Sequence, residues 1–176
     1  MAFTLYDATI VEAKLALTAL DHILTEAEKH PNSDSFLQAR LYEDMKPLAF
    51  QVYAATRFSE KVLARLSGRA SVEFEDDLVS YADMHARIAK VQEALGQADK
   101  DTVNRFGEEV APTDLPSAGT MNITGKAFAM GAAIPNVNFH VSMAYAILRK
   151  EGVPLGKRDY AMPFATEHIL KPHGGA

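Results

Sequence analysis

The stretch LYDATIVEAKLALTALDHILTEAEK, residues 5–29, carries the pattern that decides the fold. Because a helix turns once in about 3.6 residues, apolar side chains at alternating steps of four and three form one stripe along it. The His30–Pro31 pair ends the helix, since the residue before a proline avoids the helical conformation. The stripe consists of Tyr6, Ile10, Ala13, Leu17, Leu20, Leu24 and Ala27.

Three further segments carry a comparable apolar stripe. The second helix is predicted to begin at an N-cap on Asp44, to hold Pro47 in its first turn and to close at Gly68. The third spans Ser80–Gln97, and the last runs from Pro135 to Glu151. Four long amphipathic helices in succession predict an all-α four-helix bundle, since each stripe must be buried against other helices.

Residues 98–133 show no helical pattern. The alternation of polar and apolar residues in 120–124 predicts a strand, and 102–106 gives a weaker strand signal. We therefore expect a short β-hairpin or extended insertion between the third and fourth helices, with Pro112 and Pro116 in its connecting loop.

Composition narrows the classes of protein. The chain has 176 residues, 48% of them hydrophobic, a net charge of −5 and no cysteine, which suits one globular domain and excludes disulfides, thiolate metal sites and a cysteine nucleophile. The acidic balance argues against nucleic-acid binding, no apolar run is long enough for a membrane span, and no signal peptide is visible, so we expect a cytoplasmic protein. The bundle domain is predicted over residues 1–163, with a loosely ordered tail over 164–176.

One histidine stands out as a candidate for chemistry. No two of the six histidines are spaced by three or four residues, so the sequence predicts neither a histidine metal site nor a cofactor. His140 lies at the apolar start of the last helix, where it is either a core histidine with a satisfied partner or a polar group that faces a pocket as a general base or ligand donor.

Four other residues are candidates for the same pocket. Asp44 either caps the second helix or pairs with Lys46, Lys157 or His140. Gln51 lies beside the second stripe as a surface residue or a pocket donor. Tyr145 is expected in the core with its hydroxyl at the rim, and Lys157 forms a local ion pair or belongs to the site.

The blocks DMKPL (44–48), IPNVNFH (134–140), AYAILR (144–149) and LGKRDY (155–160) resemble the signature blocks of the bacterial and fungal family called domain of unknown function 1993. The resemblance implies a bundle of the DinB/YfiT type. Members of that superfamily are often dimeric, many bind a divalent metal through three histidines, and some are thiol-dependent transferases or isomerases. This chain has neither the usual histidine of helix two nor the paired histidines of the last helix.

We therefore expect a metal-free homodimer with a small-molecule pocket near the start of the last helix, whose apolar circumference suits a subunit interface. Two alternatives remain: a non-catalytic dimeric scaffold, and a divergent metal-dependent transferase. Whether the protein is an enzyme stays open at this point.

Overall fold

The computed structural model describes residues 2–115 and 119–171. Its helices are α1 (Glu12–Glu28), α2 (Leu48–Ser67), α3 (Tyr81–Gly96), α4 (Lys100–Phe106), α5 (Gly125–Phe128), α6 (Ile134–Lys150) and α7 (Lys157–Ala165). Strands β1 (Val110–Leu115) and β2 (Gly119–Thr124) form an antiparallel hairpin. The segments Asp7–Val11, Ala129–Ala133 and Thr166–Leu170 are π-helical, and Ser33–Gln38 is a 3₁₀-helix.

The four long helices α1, α2, α3 and α6 form the bundle. Each of α1 and α2 packs against both α3 and α6. The contacts Thr18–Gln92 and Asp21–His85 show that α1 and α3 run antiparallel. The predicted all-α bundle with a hairpin between its third and fourth long helices is confirmed.

The core consists of the stripes that the sequence predicts. Every position of the first stripe from Ile10 onward is fully buried. The same holds for the stripe positions of α2, which are Leu48, Val52, Ala55, Ser59, Val62 and Leu66. In α3 the stripe is Tyr81, Met84, Ile88, Val91 and Leu95, all of them buried. Each large apolar side chain removed from water in this way stabilises the fold by roughly 1.5–3 kcal/mol.

The start of α2 differs from the prediction. Asp44 is exposed and caps nothing; α2 begins at Leu48, directly after Pro47 in an extended conformation. The reason is a distant partner, because the backbone N–H of Leu48 donates to the carbonyl of Ala39 at 3.0 Å, where a cap side chain would otherwise serve. At the other end the prediction is confirmed: Gly68 ends α2 with a left-handed φ of 66°.

The insertion contains both strand and helix. Residues 119–124 form β2, as their alternation predicts, but the strand expected over 102–106 is wrong, since this stretch lies in α4. The side chain of Asp99 caps α4 by accepting from the N–H of Thr102 at 2.8 Å. Pro112 lies inside β1 opposite Asn122 rather than in the loop; a two-stranded sheet tolerates it because one side of each strand needs no donor. Pro116 lies outside the described residues.

The last helix starts ten residues earlier than predicted. Helical backbone begins at Gly125, where the hydroxyl of Thr124 accepts from the N–H of Ala127, and continues through the π segment into α6. Pro135 has no N–H to donate to the carbonyl four residues back. The wider π-helical turn directly before it carries the helix past this missing bond.

Beyond α6 the chain turns back, and α7 packs along α1. Helical backbone runs through α7 and the π segment to Leu170, across the predicted domain boundary at residue 163, while 172–176 lie outside the described residues. Across the described ranges, no helix combines the length and the apolar content needed to cross a membrane.

Candidate functional site

Helices α2 and α6 bring Gln51 and His140 together. The ring atom Nδ1 of His140 lies 2.8 Å from Oε1 of Gln51. Gln51 is only 2% exposed, so its interpretation as a surface residue is wrong, whereas His140 is half-buried. A buried amide and a half-buried imidazole from residues 89 positions apart thus form one polar pair between α2 and α6.

The hydrogen bonds of Gln51 determine which nitrogen of His140 carries the proton. The amide nitrogen Nε2 of Gln51 donates to the carbonyl oxygen of Lys46 at 2.9 Å. Its oxygen is therefore the atom that faces His140, and an oxygen only accepts, so Nδ1 of His140 must be the N–H donor. In the neutral ring this leaves Nε2 with a free lone pair.

Burial lowers the pKa of His140 to about 4. Removal of the ring from water disfavours its charged form, and no carboxylate stands close enough to offset this effect within the described residues. The imidazole is consequently neutral at pH 7. Nε2 accepts no hydrogen bond from any residue of 2–115 or 119–171, so it remains available to a ligand.

Three phenylalanine rings surround the imidazole. Phe58 is stacked on it at 6.1 Å between ring centroids, and Phe50 meets it edge-on at 6.0 Å. Phe139, its neighbour in the chain, lies at 5.3 Å and is 53% exposed, so it forms the outer rim. The ammonium of Lys46 lies 5.3 Å from the Phe50 ring centroid. We call His140, Gln51 and the three phenylalanines the aromatic histidine site.

The chemistry of this site follows from the state of its histidine. A group with a pKa of about 4 takes up a proton at pH 7 only at a cost of about 4 kcal/mol, which makes it a poor general base. A neutral imidazole nitrogen is nonetheless a good hydrogen-bond acceptor. The site therefore suits recognition of an uncharged donor group attached to an apolar body.

The other predicted pocket residues lie elsewhere. Asp44 is exposed in the turn before α2. Tyr145 follows His140 by five residues, about 140° around the helix, and its ring packs against Tyr160 of α7 at 6.4 Å. Lys157 is exposed at the start of α7. Of the five candidates, the structure brings together His140 and Gln51.

Sequence reasoning missed the walls of the site. Phe50 and Phe58 are eight residues apart in α2, which places them about 80° apart around the helix and to the same side of the second stripe. This was the available signal. It could not be assigned to His140, because the pairing of α2 with α6 depends on the tertiary fold.

The residues around His140 do not fit the three-histidine metal centre that the superfamily implies. Its ring contacts are an amide and three phenylalanines, and the Gln51 oxygen already accepts from Nδ1. Throughout residues 2–115 and 119–171, no three His, Cys, Asp or Glu side chains lie close enough together to hold one ion.

Comparisons with known proteins agree with this architecture. The family described as domain of unknown function (DUF1993) matches residues 5–161. No curated protein matches the chain. The crystal structure of a DinB family member protein from Shewanella denitrificans is similar to it, with a TM-score of 0.79 and 32% sequence identity over 89% of this chain and 90% of that chain. The resemblance drawn from the sequence blocks is thereby confirmed, and the chain belongs to the DUF1993 family, with a DinB-like fold.

Proposed function

We propose that the aromatic histidine site binds a small uncharged molecule that carries a hydroxyl or N–H donor on an aromatic or aliphatic body. The observation that carries this proposal is the free lone pair on Nε2 of His140, set among three phenylalanine rings. The rings would contact the apolar body and Nε2 would accept from the donor. A partly buried acceptor of this kind discriminates against analogues that lack the donor.

Binding is a better proposal than acid–base catalysis. The lowered pKa of His140 reduces its strength as a base at pH 7, whereas it increases the share of neutral ring that can accept a hydrogen bond. The buried Gln51 amide holds the ring in one tautomer and orientation. These features favour a preorganised acceptor over a proton carrier.

The proposal is tested with phenol and anisole, which share an aromatic body and differ in the donor. We expect phenol to shift the Nε2 nitrogen resonance of His140 and to bind about tenfold more tightly than anisole, as one buried hydrogen bond of roughly 1.4 kcal/mol requires. His140→Phe should reduce the affinity for phenol to that for anisole.

The matched control is His30→Phe, because His30 also packs on a phenylalanine, Phe36, at 5.1 Å. It should leave phenol binding unchanged. Equal affinities for phenol and anisole, or equal losses in the two variants, would contradict a donor-recognising site. If His140→Phe alters stability alone, the scaffold alternative is favoured.

We also propose that the chain forms a homodimer through the outer face of α6. The support is Phe139, a large apolar ring that is 53% exposed beside the site. Sedimentation equilibrium at micromolar concentration should give twice the 19.2 kDa chain mass, and Phe139→Ser should restore the single-chain mass. Phe3→Ser is the control, since Phe3 is another exposed phenylalanine, near the N-terminus. A wild-type chain that sediments at 19.2 kDa contradicts the dimer.

A further inference from the structure

A cavity lies between α1 and α7, away from the aromatic histidine site. α7 lies along α1, and α1, α7 and the segment after α7 line an open cavity of about 600 Å³, within the roughly 300–1,000 Å³ of small-molecule sites. Its apolar lining comes from Leu15 of α1 and from Met162 and Pro163 of α7. None of its lining residues belongs to the aromatic histidine site.

The charges that line this cavity are unequally satisfied. Asp159 accepts from the backbone N–H of Gly156 at 2.7 Å and pairs with Nε2 of His22 at 2.9 Å. Glu167 pairs with Lys171. Both acidic groups of the lining thus have partners within the chain.

Arg158 is the exception. Arg158 lines the cavity and is exposed, and no acceptor in residues 2–115 or 119–171 bonds to its guanidinium. The lining therefore combines an apolar floor with one unpaired cation. A guanidinium presents a planar fork of N–H donors that matches the two oxygens of a carboxylate or the oxygens of a sulfonate.

We infer that the cavity between α1 and α7 binds an amphipathic monoanion, with its apolar chain or ring against Leu15, Met162 and Pro163 and its anionic group on Arg158. Apolar burial supplies most of the affinity, while the guanidinium selects the anion over a neutral molecule of the same shape. This inference goes beyond the proposed function, because it assigns a different site and a different class of ligand.

The probe is 8-anilinonaphthalene-1-sulfonate, which has an aromatic body and one sulfonate and fluoresces when its rings leave water. We expect one binding site per chain. Octanoate should displace the probe, and octan-1-ol, its uncharged counterpart, should do so about fivefold less well, as one partly exposed ion pair implies.

Two substitutions locate the site. Arg158→Gln should weaken octanoate about fivefold and leave octan-1-ol unchanged. Lys157→Gln is the matched control, because Lys157 is the adjacent exposed cation and does not line the cavity. Thr166→Trp should abolish probe binding by filling the cavity; Thr166 is exposed, so the fold should tolerate the larger ring, and far-UV circular dichroism checks this.

A final variant separates the two sites, since His140→Phe should leave probe binding unchanged. The inference is overturned if octan-1-ol competes as well as octanoate, or if the Gln variants of Arg158 and Lys157 lose affinity equally. It is also overturned if probe binding survives in folded Thr166→Trp or is lost in His140→Phe. Absence of any site at millimolar octanoate overturns it as well.

Discussion

His140 and His22 lie on two different sides of the same bundle and have different partners. His140, between α2 and α6, bonds to a buried amide and is surrounded by phenylalanine rings. His22, between α1 and α7, pairs with the carboxylate of Asp159 while its side chain remains 43% exposed. Surroundings, not residue type, therefore determine whether a histidine bonds to an amide among apolar rings or to a carboxylate at the surface.

The largest effect that sharpens this comparison is the pH dependence of stability. The native pKa of His140 is about 4 and its ordinary value is 6.5, so the unfolded chain binds more protons between these pH values. The ring therefore leaves the free energy of unfolding unchanged above pH 6.5, and it lowers this free energy as the pH falls from 6.5 toward 4. After allowance for partial exposure we expect a loss of about 2 kcal/mol.

Urea unfolding at pH 7, 5.5 and 4.5 measures this loss. In His140→Phe the slope of stability between pH 6.5 and 4.5 should be much smaller, because the titrating ring is gone. The acidic groups of the chain are common to both proteins and cancel in the difference. Identical pH slopes for the two proteins would show that His140 titrates normally.

Removal of the buried amide should have the next largest effect. Gln51→Leu leaves the Nδ1 proton of His140 without its acceptor, which we expect to reduce the free energy of unfolding by about 1.5 kcal/mol. The control is Gln92→Leu on the α1 side, where an exposed amide donates to Thr18 at 3.1 Å and should be worth less than about 0.5 kcal/mol. Urea unfolding of both variants measures the two losses of unfolding free energy. Equal losses would show that the two amides stabilise the fold to the same extent.

The sequence predicts the core of this molecule better than its periphery. The stripe residues of α1, α2 and α3 depend on local periodicity alone, and their burial is confirmed. The predicted start of α2 is wrong because the first N–H of the helix donates to the carbonyl of Ala39, a partner that only the folded chain supplies. The early start of the last helix was missed because Pro135 usually marks a boundary, and here a π-helical turn accommodates it.

The candidate site, too, is predictable only where local sequence patterns suffice. His140 could be singled out because a histidine interrupts an apolar helix start. Gln51 could be proposed from its place beside a stripe, but the hydrogen bond that joins the two spans 89 residues. The cavity between α1 and α7 could not be predicted from the sequence, because α7 has no buried residue and no clear apolar stripe by which the helix could be recognised.

The aromatic walls give the third prediction. Burial is the cause of the low pKa of His140, and the stacked ring of Phe58 excludes water from one of its faces. Phe58→Ala should therefore raise the pKa of His140 by about one, toward its ordinary value. Titration of the imidazole resonances by NMR measures this. Phe74→Ala, which removes a ring that packs on Arg87, should leave it unchanged, and an unaltered pKa in both variants would mean that Phe58 does not shield the ring.

The smallest expected effect concerns the other histidine. Asp159→Asn keeps an oxygen that can accept from the N–H of Gly156, so the substitution removes chiefly the charge opposite His22. A partly exposed pair of this kind is worth about 0.5 kcal/mol, and salt should screen it. We expect this loss of unfolding free energy to shrink as NaCl rises from about 0.05 to about 0.5 M, because the Debye length falls below roughly 5 Å over this range. The loss in Gln51→Leu should stay constant over the same range, because no charge is involved. A salt-independent loss above about 1.5 kcal/mol in Asp159→Asn would contradict this expectation. It would mean that α7 shields His22 from solvent no less effectively than α2 and α6 shield His140.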